Sequence, residues 1–355
     1  MYPALFTQSS IGKYALSNKV VMAPAAIKRR VNDGEGQQHE LMVHQRRVND
    51  GVPNDLMVEY YSRRAGAGLI IAEGTSPVES GMGHAHMPGI YSKAQVAGWK
   101  KVTEAVHANE GKIFLQIMHT GRISHPANMP AKTRIVAPSA IAANGEIWTA
   151  AQGYQPYGTP RAMSTAEVQE MVQLHVKAAR QAIEAGFDGV ELHAANGYLM
   201  EQFLHPDTNQ RTDKYGGSIP NRVRFILETV AAVSAAIGKD RTGIRLSPYS
   251  KVNDLQHHGQ IDATYEYLVD ALDTLSLSYI HVVDGHSLGE PEIPAILLAG
   301  IRARFNGPLI LNGNFDALKA EDTLRSGLAD FVAFEQPCSS GVKLSGPRMS
   351  ADCLS

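Results

Sequence analysis

The sequence predicts an α/β fold, a (β/α)8 TIM barrel, and three observations support that prediction. Short apolar runs alternate with longer amphipathic stretches along the 355 residues. The apolar runs are continuous, which is typical of parallel strands that are buried on both faces. No stretch reads as a linker, so we expect a single domain over residues 1–355, a size that such barrels commonly reach.

The strands are predicted from runs that are rich in Val and Ile and bounded by Gly, Pro or Asp. These bounding residues punctuate secondary structure, so the runs are short enough to be strands rather than helices. Eight segments qualify: 19–24, 68–73, 112–117, 187–192, 242–247, 279–284, 308–312 and 330–334.

Helical periodicity fills the intervals between the strands. It is clearest over 164–186, where Ser164 and Glu167 have the spacing of a capping box and Gly186 ends the pattern. The other predicted helices are 54–66, 93–110, 220–238, 262–276, 316–327 and, with a weaker pattern, 291–304. Alternation alone also permits a doubly wound open sheet, but no GxGxxG follows the first strand, which disfavours that alternative.

Four segments fall outside this alternation. We expect residues 1–18 to close the bottom of the barrel, and 118–163 to form a long excursion over the catalytic face after strand three. After strand one, RRVNDG occurs twice within 29–51, which indicates an imperfect tandem duplication. Its first copy is interpreted as a mobile surface insert, with a functional lid as the alternative. The divergent tail, 338–355, has little helical periodicity, so a terminal helix is expected to be absent or poorly formed.

Composition disfavours several classes of protein. The net charge of −2 gives no electrostatic reason to expect a nucleic acid or an anionic membrane as the partner. Two cysteines, Cys338 and Cys353, are too few for a disulfide scaffold or a Cys-rich zinc module. The chain has no apolar run long enough to cross a bilayer, and the N-terminus has no visible secretory signal. We therefore expect a cytoplasmic protein that acts on a small molecule, either as a monomer or as a homodimer.

Candidate chemistry is concentrated at the end of the fourth strand, in ELHAANGYLMEQFL. His193 and Asn196 lie three residues apart, so a helical turn would place them side by side, where both can donate a hydrogen bond to one oxygen. Such donors polarise a carbonyl while a nucleophile attacks its conjugated β-carbon. Tyr198 can donate a proton without carrying charge. The alternative interpretation is structural, with His193 capping the turn, Asn196 stabilising a loop and Tyr198 packing.

Residues 193–228, HAANGYLMEQFLHPDTNQRTDKYGGSIPNRVRFILE, closely resemble the signature of the Old Yellow Enzyme family of flavin-dependent ene-reductases. The resemblance covers about residues 4–334. It continues in VVMAP (20–24), YYSRRAGAGLIIAEGT (60–75), LQIMHTGRISHP (115–126), GIRLSPY (243–249) and LNGNF (311–315). It implies an FMN-binding (β/α)8 barrel in which NAD(P)H, as NADH or NADPH, reduces the flavin. The reduced flavin then transfers hydride to an activated alkene of the enone or enal type.

The resemblance also implies roles for individual residues. His193 and Asn196 would hold the substrate oxygen, and Tyr198 would be the proton donor. Gln116 would bond the polar edge of the flavin ring, and Arg245 would lie near its N1 and O2 atoms and stabilise negative charge there. The remaining positions implied to contact the cofactor are Pro24, Ala26 and Gly74 along the ring, and Gly313 and Asn314 at the phosphate.

The sequence departs from the family pattern after strand eight, and this leaves a second hypothesis open. Glu335 and Gln336 stand where the family usually has Gly-Arg, so we expect weakened retention of FMN. The alternative function is a flavin-poor relative, either a non-redox isomerase or cyclase or an inactive interaction protein. A metal-dependent enzyme finds little support, because the scattered histidines lack a clear pattern of carboxylate partners, although two of them could lie near the barrel mouth. These histidines are His84, His86, His119, His257 and His258, and the first two are the candidates for the mouth.

Overall fold

The computed structural model describes residues 2–24, 29–32, 38–41, 50–284, 292–313 and 315–334, with only the backbone at 29–32 and 38–41. Several sequence-based expectations concern residues outside these ranges. They are the roles of Ala26 and Asn314, the departures at Glu335 and Gln336, the tail 338–355, and most of the repeated insert.

The strands are short, as the sequence predicts. In chain order they are Ser9–Ile11 (β1), Tyr14–Leu16 (β2), Val20–Met22 (β3), Arg29–Asn32 (β4), Gln38–Leu41 (β5), Leu69–Thr75 (β6), Ile113–Ile117 (β7), Val136–Ala137 (β8), Glu146–Thr149 (β9), Gly153–Pro156 (β10), Arg161–Ala162 (β11), Gly189–Ala194 (β12), Thr242–Leu246 (β13), Tyr279–Val283 (β14), Leu309–Asn312 (β15) and Phe331–Phe334 (β16).

The helices separate the barrel strands. They are Asp55–Ser62 (α1), Lys93–Ala108 (α2), Thr165–Glu184 (α3), Leu199–Leu204 (α4), Ile219–Arg222 (α5), Arg224–Ile237 (α6), Ile261–Asp273 (α7), Ala295–Arg304 (α8) and Ala317–Arg325 (α9). The predicted capping box of α3 is present, because the Ser164 hydroxyl accepts from the Glu167 amide and the Glu167 carboxylate accepts from the Ser164 amide. The predicted helix 220–238 forms as two pieces, α5 and α6, and ends at Gly238 with φ 103°.

Eight parallel strands close into a barrel in the order β12-β13-β14-β15-β16-β3-β6-β7. These are the eight predicted strands, and their observed ends differ from the predicted ends by no more than two residues. The (β/α)8 prediction is therefore confirmed, and the open doubly wound sheet is wrong. The physical reason is that β16 bonds to β3, so the first and last strands of the set pair and leave no open edge.

The lower part of the barrel interior is apolar and is closed by the N-terminal hairpin of β1 and β2. Ile11 and Leu16 of this hairpin pack with inward-facing residues of the barrel strands. These partners are Val21, Leu69, Ile71, Phe114, Tyr279, Ile310 and Phe331. The Tyr14 hydroxyl also donates to the Asp188 carbonyl, just before β12. Residues 2–18, the described part of the predicted segment 1–18, thus close the amino end of the barrel, as predicted, and leave the carboxyl end for the site.

The excursion after β7 folds over the carboxyl ends of the strands. It contains the antiparallel pair β9–β10 and the short parallel pair β8–β11. Arg122 donates to the carbonyls of Asn253 and Asp254 in the loop after β13, and Asn128 donates to the Gly83 carbonyl in the loop after β6. The expected position over the catalytic face is therefore confirmed.

The insert after β3 is described only in part. The backbones of β4 and β5 form an antiparallel pair in which Arg29 lies opposite Leu41. Its interpretation as a mobile loop or a lid concerns residues outside the described ranges. Among the described residues, we find no helix with the length and apolar character needed to cross a membrane.

Candidate active site

A polar layer lies at the carboxyl end of the barrel, above the apolar interior. Its main side chains are Gln116 on β7, His193 on β12, Arg245 on β13 and Asn312 on β15, and each is at most 4% exposed. His193 lies directly opposite Arg245 in the register of the neighbouring strands. Because alternate residues of a strand share a face, these residues lie on the same inner face as the apolar layers below them.

Gln116 is held by a carboxylate that the sequence analysis did not single out. Its amide nitrogen donates to Glu191 Oε1 at 2.8 Å, and Glu191 Oε2 is 2.8 Å from His281 Nδ1. Burial opposes ionisation of Glu191, but His281, Arg245 and Gln116 together lower its pKa below the ordinary value. This bond fixes the orientation of the Gln116 side-chain amide, whose carbonyl oxygen can accept a hydrogen bond.

Arg245 is oriented by a neutral partner across the barrel. Its guanidinium donates to Asn312 Oδ1 at 2.8 Å, and Asn312 Nδ2 donates to the Ala333 carbonyl at 3.0 Å. Asn312 therefore links Arg245 to β16 through two hydrogen bonds. A fixed, buried guanidinium at this position adds positive potential to the mouth.

His193 is a neutral imidazole at the top of β12. Burial lowers its pKa well below the ordinary value, and the positive charges of Arg245 and His281 act in the same direction. Among the described residues, its Nδ1 atom has no hydrogen-bond partner although it is buried. Buried polar atoms without a partner are uncommon, so this nitrogen suits an interaction with a bound molecule.

Asn196 does not sit on a helical turn with His193, so that part of the prediction is wrong. His193 belongs to a strand, whereas Asn196 has φ 55° and Gly197 has φ 73°, both in the left-handed region. The reason is the Asn-Gly pair, since both residues tolerate positive φ and favour a turn. The backbone N–H of Asn196 donates to Ser247 Oγ, and the backbone carbonyl of Asn196 accepts from Asn253 Nδ2, each at 2.7 Å.

Glu201 stabilises the same turn by accepting a hydrogen bond from it, and the sequence analysis made no prediction for this residue. The Gly197 amide donates to its Oε2 at 2.7 Å, while the hydroxyls of Ser247 and Tyr265 donate to its Oε1 at 2.7 and 2.5 Å. Burial raises the pKa of Glu201 to about 7, although these three donors oppose the rise. Glu201, on α4, thereby connects the turn that carries Asn196 with β13 and α7.

Tyr198 is the residue immediately before α4, and its ring contacts two histidines. The ring centroid is 5.1 Å from that of His193, in an edge-on arrangement. The hydroxyl is 2.9 Å from His84 Nε2. Burial raises the pKa of Tyr198 to about 12, although a hydrogen bond from Asn253 opposes the rise. The phenol is therefore neutral at physiological pH and can donate its proton.

The remaining predicted site residues lie around the same mouth where they are described. Pro24 is half-buried just after β3. Gly74 lies in β6, where an added Cβ atom would be 2.7 Å from the Met118 sulfur. Gly313 directly follows β15, and a Cβ there would lie 2.7 Å from Asp284 Cβ. Close packing therefore favours glycine at position 313, whereas an added Cβ at position 74 would displace the flexible end of Met118.

One wall of the site is made of methionine. Met82, Met87 and Met118 form a buried cluster, against which Tyr91 and Tyr198 pack. Methionine is flexible and fills irregular spaces, so this wall can adapt to the shape of what it contacts.

His119 has a structural position. Its Nδ1 accepts from the Gly121 amide at 3.0 Å, its Nε2 is 3.1 Å from Ser80 Oγ, and burial lowers its pKa to about 3. Within the described ranges, no group of three or more His, Cys, Asp and Glu side chains is arranged to hold a metal ion.

The donors and acceptors of this mouth fit the ring of a flavin mononucleotide. The polar edge of that ring carries both acceptor atoms and an N–H donor. Gln116 supplies a carbonyl acceptor and Arg245 a guanidinium, and both stand on strands that flank β12. At the predicted phosphate end, Gly313 is described, whereas Asn314, Glu335 and Gln336 lie outside the described residues.

Fold and site together define a (β/α)8-barrel enzyme with a polar, partly adaptable pocket at the carboxyl ends of its strands. A model of the NADH:flavin oxidoreductase / NADH oxidase family matches residues 4–338. The chain belongs to this family, the Old Yellow Enzyme family, and the resemblance noted in the sequence is confirmed.

Relatives agree with this assignment over most of their length. A probable flavin mononucleotide-dependent alkene reductase of Leishmania infantum is 41% identical over 328 residues, which cover 91% of this chain and 84% of that protein. The 12-oxophytodienoate reductase 7 of Oryza sativa subsp. japonica is 34% identical over 348 residues, with coverages of 93% and 84%. A solved structure of morphinone reductase is 41% identical, with a TM-score of 0.85 and coverages of 95% and 87%.

Proposed function

We propose that this protein is an FMN-dependent oxidoreductase that reduces an activated carbon–carbon double bond, as in an enone or enal, with NAD(P)H as the source of electrons. The names of the relatives, which include an alkene reductase and a 12-oxophytodienoate reductase, support this reaction class. The single observation that carries the proposal is the pairing of a neutral, buried His193 with the hydroxyl-bearing ring of Tyr198 at the barrel mouth.

In this proposal each polar side chain has a separate task. The neutral His193 and Asn196 hold the carbonyl oxygen of the substrate by hydrogen bonds, which draws electron density away from the β-carbon. Tyr198 gives its phenolic proton to the α-carbon. Bound at this mouth, FMN would supply the hydride chemistry that links the nicotinamide to the β-carbon.

Other residues bind the cofactor. Gln116 and Arg245 contact the polar edge of the flavin ring, and the charge of Arg245 stabilises its reduced, anionic form. Pro24 and Gly74 lie along the ring, and Gly313 belongs to the phosphate loop. Ala26 and Asn314 remain predictions from the sequence, as does weakened binding caused by Glu335 and Gln336.

We further propose that residues 1–355 form one FMN-binding domain. The cytoplasmic location, the choice between NADH and NADPH, and the oligomeric state also remain predictions.

The function is tested by anaerobic spectroscopy of the purified protein. We expect a yellow protein that loses its flavin absorbance when NADH or NADPH is added and regains it when 2-cyclohexen-1-one, a simple enone, follows. A protein that stays colourless after FMN is added would instead support the flavin-poor alternative. A flavin that the nicotinamide reduces but that no enone or enal reoxidises would contradict the substrate class.

A further inference from the structure

Glu191 is a fully buried carboxylate one layer below the polar mouth. It stands two residues before His193 on β12, so both side chains point into the barrel, and Glu191 lies deeper. Its neighbours in the register are Gln116 on β7 and Gly243 on β13. The carboxylate therefore lies between the apolar interior and the residues that are proposed to contact FMN.

The two carboxylate oxygens connect Glu191 to different strands. Oε1 accepts from Gln116 Nε2, and Oε2 is 2.8 Å from Nδ1 of His281 on β14, which lies beyond β13. The intervening residue is Gly243, where an added Cβ atom would be 2.3 Å from the Tyr279 ring. Because position 243 carries no side chain, Glu191 can reach across β13, and one carboxylate joins β7, β12 and β14.

Glu191 faces both partners as an ionised group. Burial opposes its ionisation, but His281, Arg245 and Gln116 together hold its pKa below the ordinary value. An ionised carboxylate can only accept hydrogen bonds, so the amide nitrogen of Gln116 and an N–H at His281 Nδ1 must face it. The Gln116 amide therefore cannot exchange the positions of its nitrogen and its oxygen, although these two atoms are similar in size.

An amide that is fixed in this way presents a defined pattern to the mouth. Its nitrogen carries two N–H groups, so the one that Glu191 does not use remains, together with the carbonyl oxygen. The polar edge of the flavin ring carries an N–H between two carbonyl groups, which matches a donor and an acceptor that stand side by side. With the amide reversed, donor would face donor and acceptor would face acceptor.

We propose that Glu191 is a positioning residue for FMN, because its carboxylate holds the Gln116 amide in the orientation that complements the polar edge of the flavin ring. This inference rests on the proposed function, in which Gln116 contacts FMN. A buried charge costs free energy that a well-packed apolar side chain at the same position would not cost. The orientation of Gln116 gives this charge a role that packing alone does not require.

The main variant is Glu191→Gln, which keeps the size of the side chain and removes its charge. The N–H at His281 Nδ1 attracts the new amide oxygen, so the new amide nitrogen faces Gln116 and makes that residue turn its own oxygen downwards. We expect equilibrium titration with FMN, followed by the quenching of flavin fluorescence, to give a dissociation constant that is raised about fivefold or more. Glu191→Met, which has no group that could orient the amide, should show a similar loss.

NMR of FMN that carries an isotope label at its ring N–H nitrogen gives a direct spectroscopic signature. In the wild type this N–H donates to the Gln116 oxygen, so its proton signal should lie downfield and exchange slowly with water. In both Glu191 variants the signal should move upfield and exchange faster, because the acceptor is no longer held in place.

Two comparisons separate positioning from a general effect on the fold. In a Gln116→Leu background, Glu191→Gln should cause no further loss of FMN affinity, since the amide that it orients is absent. Glu321→Gln is the matched control, because Glu321 is also a buried carboxylate but accepts from the Ala4 and Leu5 amides in the N-terminal segment. It should leave the FMN affinity and the N–H signal unchanged.

The outcomes separate this inference from the proposed function. An unchanged affinity and N–H signal in both Glu191 variants, or an equal loss of affinity in the Gln116→Leu background, would overturn the positioning role. If Gln116→Leu itself leaves FMN binding unchanged, the contact of Gln116 with FMN fails, and this inference fails with it. If Gln116→Leu weakens binding but the Glu191 variants do not, only the positioning role is lost. A wild-type protein that binds no FMN would remove both.

Discussion

At the scale of single residues, Gly74 shows how packing limits the choice of side chain at the mouth. The family resemblance implies that this glycine lies along the flavin ring, and the structure adds a second constraint. An ideal Cβ on Gly74 would lie 2.7 Å from both the Met118 sulfur and its terminal methyl carbon, which is too close for any real contact. Met118 in turn packs in the cluster that contacts Tyr198.

We therefore predict that Gly74→Ala moves the flexible end of Met118 into another rotamer and lowers the free energy of unfolding by only about 0.5–1.5 kcal/mol. Guanidinium-induced unfolding of the FMN-loaded protein measures this loss. In a Met118→Ala background the same substitution should cost less than about 0.5 kcal/mol, because the clashing atoms are gone. Gly300→Ala is the clash-free comparison, since its nearest neighbouring atom is 3.9 Å away, and it should stabilise helix α8 by about 0.5–1 kcal/mol. An equal loss in both backgrounds would rule out the clash.

At the scale of elements, helix α4 and the turn before it form one unit through Glu201. The carboxyl accepts from Gly197, Ser247 and Tyr265, and burial raises its pKa to about 7. A carboxyl with a raised pKa in the folded state stays protonated up to a higher pH than it does in the unfolded chain. Its contribution to stability is therefore complete below about pH 4.5 and is lost as the pH rises through about 7.

This linkage predicts the pH dependence of the Glu201→Gln variant. The free energy of unfolding of the wild type minus that of the variant should fall as the pH rises from 5 to 7.5, by up to about 1.4 kcal/mol per pH unit. Unfolding measured at several pH values gives this difference, in which the other groups largely cancel. Glu170→Gln, on the exposed part of α3, removes the same charge at the surface and serves as the control. A difference that stays flat over this range would contradict the assignment.

Elements and individual contacts differ in how far the sequence alone predicts them. The eight barrel strands were predictable because continuous apolar runs are a local signal of burial on both faces. The turn at Asn196 was also predictable, since Asn-Gly is a turn signal. The three-residue spacing of His193 and Asn196 instead led to the prediction of a helical turn. The contact of His84 with Tyr198 had no local signal, because it forms only when the barrel closes and brings the two loops together. Burial of Glu201 has the same origin.

At the scale of the whole molecule, the barrel separates stability from chemistry along its axis. The amino end is filled by apolar side chains and by the hairpin residues Ile11 and Leu16, whereas the carboxyl end carries the polar layer of Gln116, His193 and Arg245. The two ends therefore differ in their access to water, because the close-packed apolar layer excludes water whereas the mouth must admit a substrate. Substitutions at the amino end should therefore affect folding without affecting the reaction.

Ile11→Ala tests this separation. Ile11 is 1% exposed and packs in the cluster that includes Phe114 and Tyr279. Removing its side chain leaves a cavity at the amino end, so we predict a loss of about 2–5 kcal/mol in the free energy of unfolding. The rates of flavin reduction and of alkene-dependent reoxidation should remain within about twofold of wild type, because the polar layer is untouched. Leu56→Ala is the control on α1, where the side chain is 55% exposed and the expected change is below about 0.5 kcal/mol. A slowed half-reaction in Ile11→Ala at full FMN occupancy would show that the two ends are coupled.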